Sequence, residues 1–204
     1  MDVLSPKRGK LTFDSEGNEG GPYHSRSLHH PSFVSGVTLG RGYDMREKSS
    51  QMIESDLIRA GLEPVLAKLI AQASGLSGEN ARQFIKRPEF NNFEISAVVQ
   101  LKLFEIDYER HRLDAKRIWD SSENQQRYGA GMWDELNPRI QDFIVDLRYQ
   151  GLYSKSMRDR IQKSAGAGNL QELKSKFSQA ITEMGLRMDQ RNKRRIEFLS
   201  SDGS

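Results

Sequence analysis

The chain has 204 residues, of which 36% are hydrophobic and 29% charged. That is enough chain for one substantial core or two small lobes, and the balance excludes both a disordered polymer and a protein embedded in a membrane. Lys and Arg exceed Asp and Glu by 31 to 28, a milder basic excess than dedicated nucleic-acid binders carry, and the absence of cysteine removes disulfide frameworks, thiolate nucleophiles and Cys-based zinc sites.

Residues 1–10, MDVLSPKRGK, read as a linker or disordered tail. They lack the apolar stretch of a secretory signal, and no run in the chain approaches the ~20 apolar residues that span a bilayer. Residues 11–48 hold Gly17, Gly20, Gly21, Gly36, Gly40 and Gly42, a density that predicts turns between short strands. Leu11, Thr12 and Phe13, and again Val37, Thr38 and Leu39, alternate as half-buried strands do. From about residue 49 the apolar spacing becomes helical, with Ser49 or Ser50 as an N-cap, Gly61 as a stop and Pro64 in the first turn of the next helix. A short helix is predicted around 79–86 and a long one from about 93 to 119; at 1.5 Å per residue the latter is ~40 Å long, too long for one compact lobe, and is expected to bridge two. Residues 121–131 read as a polar connection, followed by helices near 138–150, 155–164, 169–183 and 186–199. The fold class is therefore α+β, mostly helical, with a small sheet in an N-terminal lobe (about 11–92), a connecting helix (about 93–119) and a helical C-terminal lobe (about 120–200).

Within the glycine-rich segment, Glu16-Gly17 precedes the run Ser35-Gly36-Val37-Thr38-Leu39-Gly40-Arg41-Gly42-Tyr43-Asp44. Glu16 and Asp44 sit on segments that a strand and turns can bring face to face. Cleavage of a glycosidic bond needs such a pair: one carboxyl protonated to donate to the leaving oxygen, the other ionised to activate water. A hydroxyl such as that of Thr38 can position the water. Taken singly, each residue also has an ordinary structural use, Glu16 as an acceptor in a turn and Asp44 as a helix cap.

Glu-Gly followed by this Ser-Gly-Val-Thr-Leu-Gly-Arg-Gly-Tyr-Asp run resembles the active-site signature of phage T4-type lysozymes, and more closely that of pesticin-like muramidase toxins. Residues 137–151 resemble that family's helix beneath the C-terminal lobe, and Gly185-Leu186 with Arg191, Arg194, Arg195 and Glu197 its closing helix. The resemblance, over roughly residues 11–200, implies a two-lobed lysozyme-like fold. It also implies hydrolysis of the β-1,4 bond between N-acetylmuramic acid and N-acetylglucosamine in peptidoglycan, inverting and without a cofactor. Carried over position by position, it places the general acid on Glu16, the water-holding hydroxyl on Thr38 and the second carboxylate on Asp44. Glu19, three residues further, is the alternative acid; Arg41 and Tyr43 are secondary candidates for substrate contact. A bacteriolytic toxin, effector or phage-type lysin would be made in the cytoplasm and delivered to the periplasm or wall of a target bacterium by a secretion machine, a fused translocation domain or phage release. Its partners would be peptidoglycan glycan strands and a periplasmic immunity protein, with no specific nucleic acid and no membrane insertion.

Other readings are weaker. His24, His29 and His30 crowd one loop, but no HExxH helix or acidic cluster accompanies them as a metal site would need, and substrate contact or exposure is the better expectation. Asp14, Glu16 and Asn18 begin like a calcium loop, yet Glu19 stands where glycine is needed and Ser25 where a bidentate acid is needed. Trp119, Tyr128 and Trp133 serve either as a sugar-stacking subsite or as packing. The basic stretch from Arg187 to Arg195 reads as a solvated, partly paired helix face. The rival functions are an inactive cell-wall-binding or assembly module on the same scaffold, and a basic nucleic-acid binder.

Overall fold

A computed structural model describes residues 4–21 and 24–200, so residues 1–3 of the expected tail lie outside the described part. The chain is mostly helical with a two-stranded antiparallel sheet, an α+β composition, and divides into two compact units, residues 1–107 and 108–204. No helix among the described residues is long and apolar enough to cross a membrane.

The first unit begins with α1 (Lys10–Ser15), where a strand was expected. Three alternating residues are too few to separate the two periods, and here Thr12 is as buried as its apolar neighbours Leu11 and Phe13. Gly9, at φ 73, starts the turn, and Lys10 and Asp14 form an ion pair at 2.6 Å along its surface. Of the preceding residues, Pro6 and Gly9 are buried and the Lys7 amide donates to Glu105 Oε1 at 3.1 Å.

β1 (Thr38–Leu39) and β2 (Tyr43–Asp44) form a hairpin in which Thr38 faces Asp44 and Leu39 faces Tyr43. Its loop carries Gly40 at φ 64 and Gly42 at φ 83, left-handed conformations that glycine adopts without the clash of a Cβ. The two-residue period sorts the side chains. Val37, Leu39, Tyr43 and Met45 are at most 1% exposed and enter the core with Ile53 and Leu57, which leaves Thr38 and Asp44 on the opposite face. Tyr43 is therefore a core residue, its hydroxyl donating to the buried Asp56 at 2.7 Å, and the expectation that it contacts substrate is corrected.

α2 (Ser50–Ala60) starts where Ser49 accepts from the Met52 amide and ends at Gly61, φ 109. α3 (Pro64–Ile70) and α4 (Gly78–Phe84) complete the shell around this core. α5 (Ala97–Trp119) has 23 residues, and the division between the units falls inside it. It starts later than residue 93 because Ser96 caps it, accepting from the Val99 amide at 3.2 Å, while the Ile95 amide is bound to the Arg26 carbonyl at 2.9 Å.

In the second unit the polar connection contains a helix, α6 (Ser122–Tyr128), capped by Ser121 and closed by Gly129 at φ 58. α7 (Pro138–Tyr149), α8 (Lys155–Gly166) and α9 (Leu170–Glu183) begin at Asn137, Ser154 and Asn169, each accepting a hydrogen bond from a first-turn amide. α10 (Gln190–Ser200) closes the unit. Phe143 and Phe177 meet edge to face at 5.0 Å in its core. Trp119 and Trp133 are both fully buried at a ring separation of 6.1 Å, and the Tyr128 hydroxyl donates to Asp159, so these three pack rather than line a sugar subsite.

The basic stretch is also only partly a solvated face. Arg195 is fully buried, its Nε 2.6 Å from Asp146 Oδ2, and Arg191 reaches Asp146 Oδ1 at 2.7 Å. Burial alone would raise the Asp146 pKa; the two guanidinium charges overcome it and hold the carboxyl below its ordinary value. An acid whose folded pKa is depressed contributes stability fully above the ordinary carboxylate range and loses it as pH falls through the folded value. Asp146→Asn, which leaves a buried guanidinium uncompensated, is expected to cost about 3–5 kcal/mol in urea unfolding at neutral pH. Melting scans should show the wild type losing Tm below about pH 4, the ordinary carboxylate range, more steeply than this variant.

Candidate functional site

Glu16 stands at the C-terminal end of α1, its amide still bound to the Thr12 carbonyl. The chain then turns through Gly17, whose missing side chain leaves room for Arg41: a Cβ there would lie 2.8 Å from Arg41 Cγ and 2.7 Å from its Nη1. Arg41 is held in that space, its guanidinium 4.1 Å above the Phe13 ring and donating to the Phe13 carbonyl at 2.7 Å. Gly17 thus serves the packing of Arg41, and Arg41, expected as a substrate contact, has a structural use of its own.

A cavity of about 350 Å³ opens beside Glu16, lined with it by Asn18, Ser25, His29, Pro31 and Thr38. This volume lies in the range of small-ligand sites. Glu16 and Thr38, far apart in sequence, are thereby brought together. Thr38 is 4% exposed, with its hydroxyl donating weakly to the Gly36 carbonyl at 3.4 Å. Asp44 is in register with Thr38 but is not among the lining residues. Its carboxylate accepts from the Gly36 amide at 3.1 and 3.2 Å and from the Arg46 amide at 2.8 Å.

Glu19 does not line this cavity. It belongs to an ion network: Arg26 Nε lies 3.0 Å from its Oε2, Arg41 Nη2 3.4 Å from its Oε1, and Arg26 also reaches Glu94 at 2.8 Å. His24 joins it, accepting from the Gly20 amide on Nδ1 at 2.7 Å and placing Nε2 3.3 Å from Glu94. Glu19, Arg41 and Phe13 line a separate cavity with Gln100. His30 Nε2 donates to the Ser35 carbonyl at 3.1 Å, so the three histidines of the loop have three different sets of partners. Among the described residues no three His, Asp or Glu side chains are placed to share a metal ion.

Sequence reasoning weighs Asn18 and Ser25 only as positions of a rejected calcium loop and misses that they line this cavity and are bonded to each other. Ser25 Oγ accepts from the Asn18 amide at 2.9 Å and donates to its carbonyl at 3.0 Å. His29 was noticed only as a member of the histidine cluster. Its backbone pairs with Thr38 in both directions, at 3.0 and 2.8 Å, which adds a third segment beside the hairpin. No periodicity marks a single bridge of this kind.

Gly36 has no room for a side chain, since a Cβ would run into the Asp44 carboxylate and come within 2.8 Å of the Arg46 amide nitrogen. Gly36→Ala is expected to cost about 1–3 kcal/mol in denaturant unfolding, by overpacking, and to displace the Asp44 carboxylate. A variant of wild-type stability would contradict this close approach.

No curated protein matches the chain. A family described as "Domain of unknown function (DUF8812)" matches residues 9–195, a span that includes Glu16, His29, Thr38 and Asp44 and enters both units. On the extent of that match, the chain belongs to the DUF8812 family.

Proposed function

We propose that the protein is a glycoside hydrolase that cleaves the β-1,4 bond between N-acetylmuramic acid and N-acetylglucosamine in peptidoglycan. The observation that carries this reading is the one cavity that Glu16 and the buried Thr38 line together, an acidic residue and a hydroxyl-bearing one at the same concave space. The resemblance of the run from Ser35 to Asp44 to the muramidase signature supports it from the sequence side.

Glu16 is the general acid, protonating the glycosidic oxygen as it leaves, and Thr38 holds the water that attacks the anomeric carbon. Asp44 is the second carboxylate, aligned beside Thr38 and fixed by the Gly36 and Arg46 amides. Glu16 is preferred to Glu19 because the Glu19 oxygens are engaged by Arg26 and Arg41 in the neighbouring cavity. The water attacks the face opposite the leaving sugar, so the anomeric configuration inverts. Peptidoglycan lies outside the cytoplasm, so this reading carries with it delivery to the periplasm or wall of a target bacterium and, in a producing cell, a periplasmic immunity protein.

Turbidity loss of purified peptidoglycan tests the reading. The wild type should clear the suspension, Glu16→Gln should be slowed about 10²–10⁴-fold, and Glu19→Gln should lose far less. An inert wild type would refute the class, and loss confined to Glu19→Gln would move the acid. Proton NMR of the first product should show the α anomer; a β product would contradict inversion.

A further inference from the structure

We propose that His29 is the general base of this site, taking the proton of the water that Thr38 holds. The inference rests on the glycosidase reading above and assigns a role that reading left to Asp44.

Three segments lie side by side here. Thr38 exchanges both backbone hydrogen bonds with His29 on one side and is paired with Asp44 on the other. Directly opposed residues of an antiparallel ladder send their side chains to the same face, so His29, Thr38 and Asp44 form a row across it. Of this row, His29 and Thr38 line the cavity with Glu16, and Asp44 does not. The Asp44 carboxylate is held by two backbone amides, with the Gly36 N–H shared between both oxygens and the Arg46 N–H on Oδ1, and it stands outside the cavity where a base must present a lone pair to water.

His29 presents one. Its Nδ1 lies 2.9 Å from the Ser27 carbonyl, which can only accept, so Nδ1 carries the ring proton and Nε2 of the neutral ring keeps its lone pair. Among the described residues no neighbour hydrogen-bonds Nε2, and His29 borders the cavity. Burial lowers the pKa of His29 below its ordinary value; the Ser27 carbonyl opposes this and the nearby His24 adds to it. The ring is therefore neutral near pH 7, the form a base requires. The ionisable groups around it are Glu16 at the end of α1, His24 and His30 in its own loop, and Asp44 beyond Thr38.

The step balances on these two groups. The water oxygen bonds to the anomeric carbon as the glycosidic bond breaks, and that bond's electron pair goes to the leaving oxygen. The leaving oxygen takes the Glu16 proton, and the water proton goes to His29 Nε2. The site is left as a Glu16 carboxylate and a His29 imidazolium, and transfer of one proton between them through solvent restores it.

The test is the pH profile of kcat/KM on soluble peptidoglycan fragments for the wild type, His29→Ala, His29→Gln and Asp44→Asn, with folding followed by thermal melting. Both His29 variants should melt as cooperatively as the wild type, fall about 10²–10⁴-fold in rate and lose the acid limb that marks deprotonation of the base. Added imidazole should restore part of the His29→Ala rate, and Asp44→Asn should keep the acid limb whatever its rate. An active wild type whose acid limb survives in folded His29→Ala, or disappears in Asp44→Asn alone, would overturn the assignment while sparing the glycosidase reading. A wild type inert on the fragments would overturn both.

Discussion

The site depends on Thr38 being paired on two sides at once. Its backbone bonds to His29 on one edge and its partner in the hairpin is Asp44 on the other, so a strand of two residues organises a face three segments wide. A two-stranded ribbon alone is marginal in water. This one is anchored because the alternate side chains, Val37, Leu39, Tyr43 and Met45, enter the core of the first unit. Burial of one face fixes the register, and the fixed register puts the polar residues on the other face.

Glycines set how closely the parts approach. Gly36 lets its amide meet the Asp44 carboxylate, and Gly17 lets the Arg41 side chain pass beneath the turn that follows Glu16. Arg41 then braces the end of α1 through the Phe13 carbonyl and ring, which ties the hairpin loop to the element that presents Glu16. Arginine has a similar use in the second unit, where Arg195 is enclosed with Asp146 and contributes its charge to the interior. Neither arginine is free to act as a surface cation.

Much of this was legible in the sequence. The alternation of Val37, Thr38 and Leu39 predicts β1 but not its hairpin partner β2; Ser49 marks the start of α2 as a cap, and helical spacing places α7, α8 and α9 without naming Asn137, Ser154 and Asn169 as their caps. Local signals did not reach several other features. Residues 11–13 show two periods equally well, and only the burial of Thr12 decides for helix. Arg195 looks solvated until Asp146, on α7, is placed against it. His29 gains its place through one bridge to Thr38, a pairing without any repeat that a periodicity could detect. The motif residues themselves were legible, but not the separation of Asp44 from the cavity that Glu16 and Thr38 share. That separation depends on the Gly36 and Arg46 amides turning the carboxylate aside.

The most direct measurement of the central claim is a crystal structure of the Glu16→Gln variant with a peptidoglycan tetrasaccharide bound. The account predicts a glycosidic oxygen within hydrogen-bond distance of residue 16, about 2.6–3.2 Å, and a water on Thr38 facing the anomeric carbon from the other side. A saccharide seated elsewhere, with residue 16 making no contact with a bridging oxygen, would contradict it.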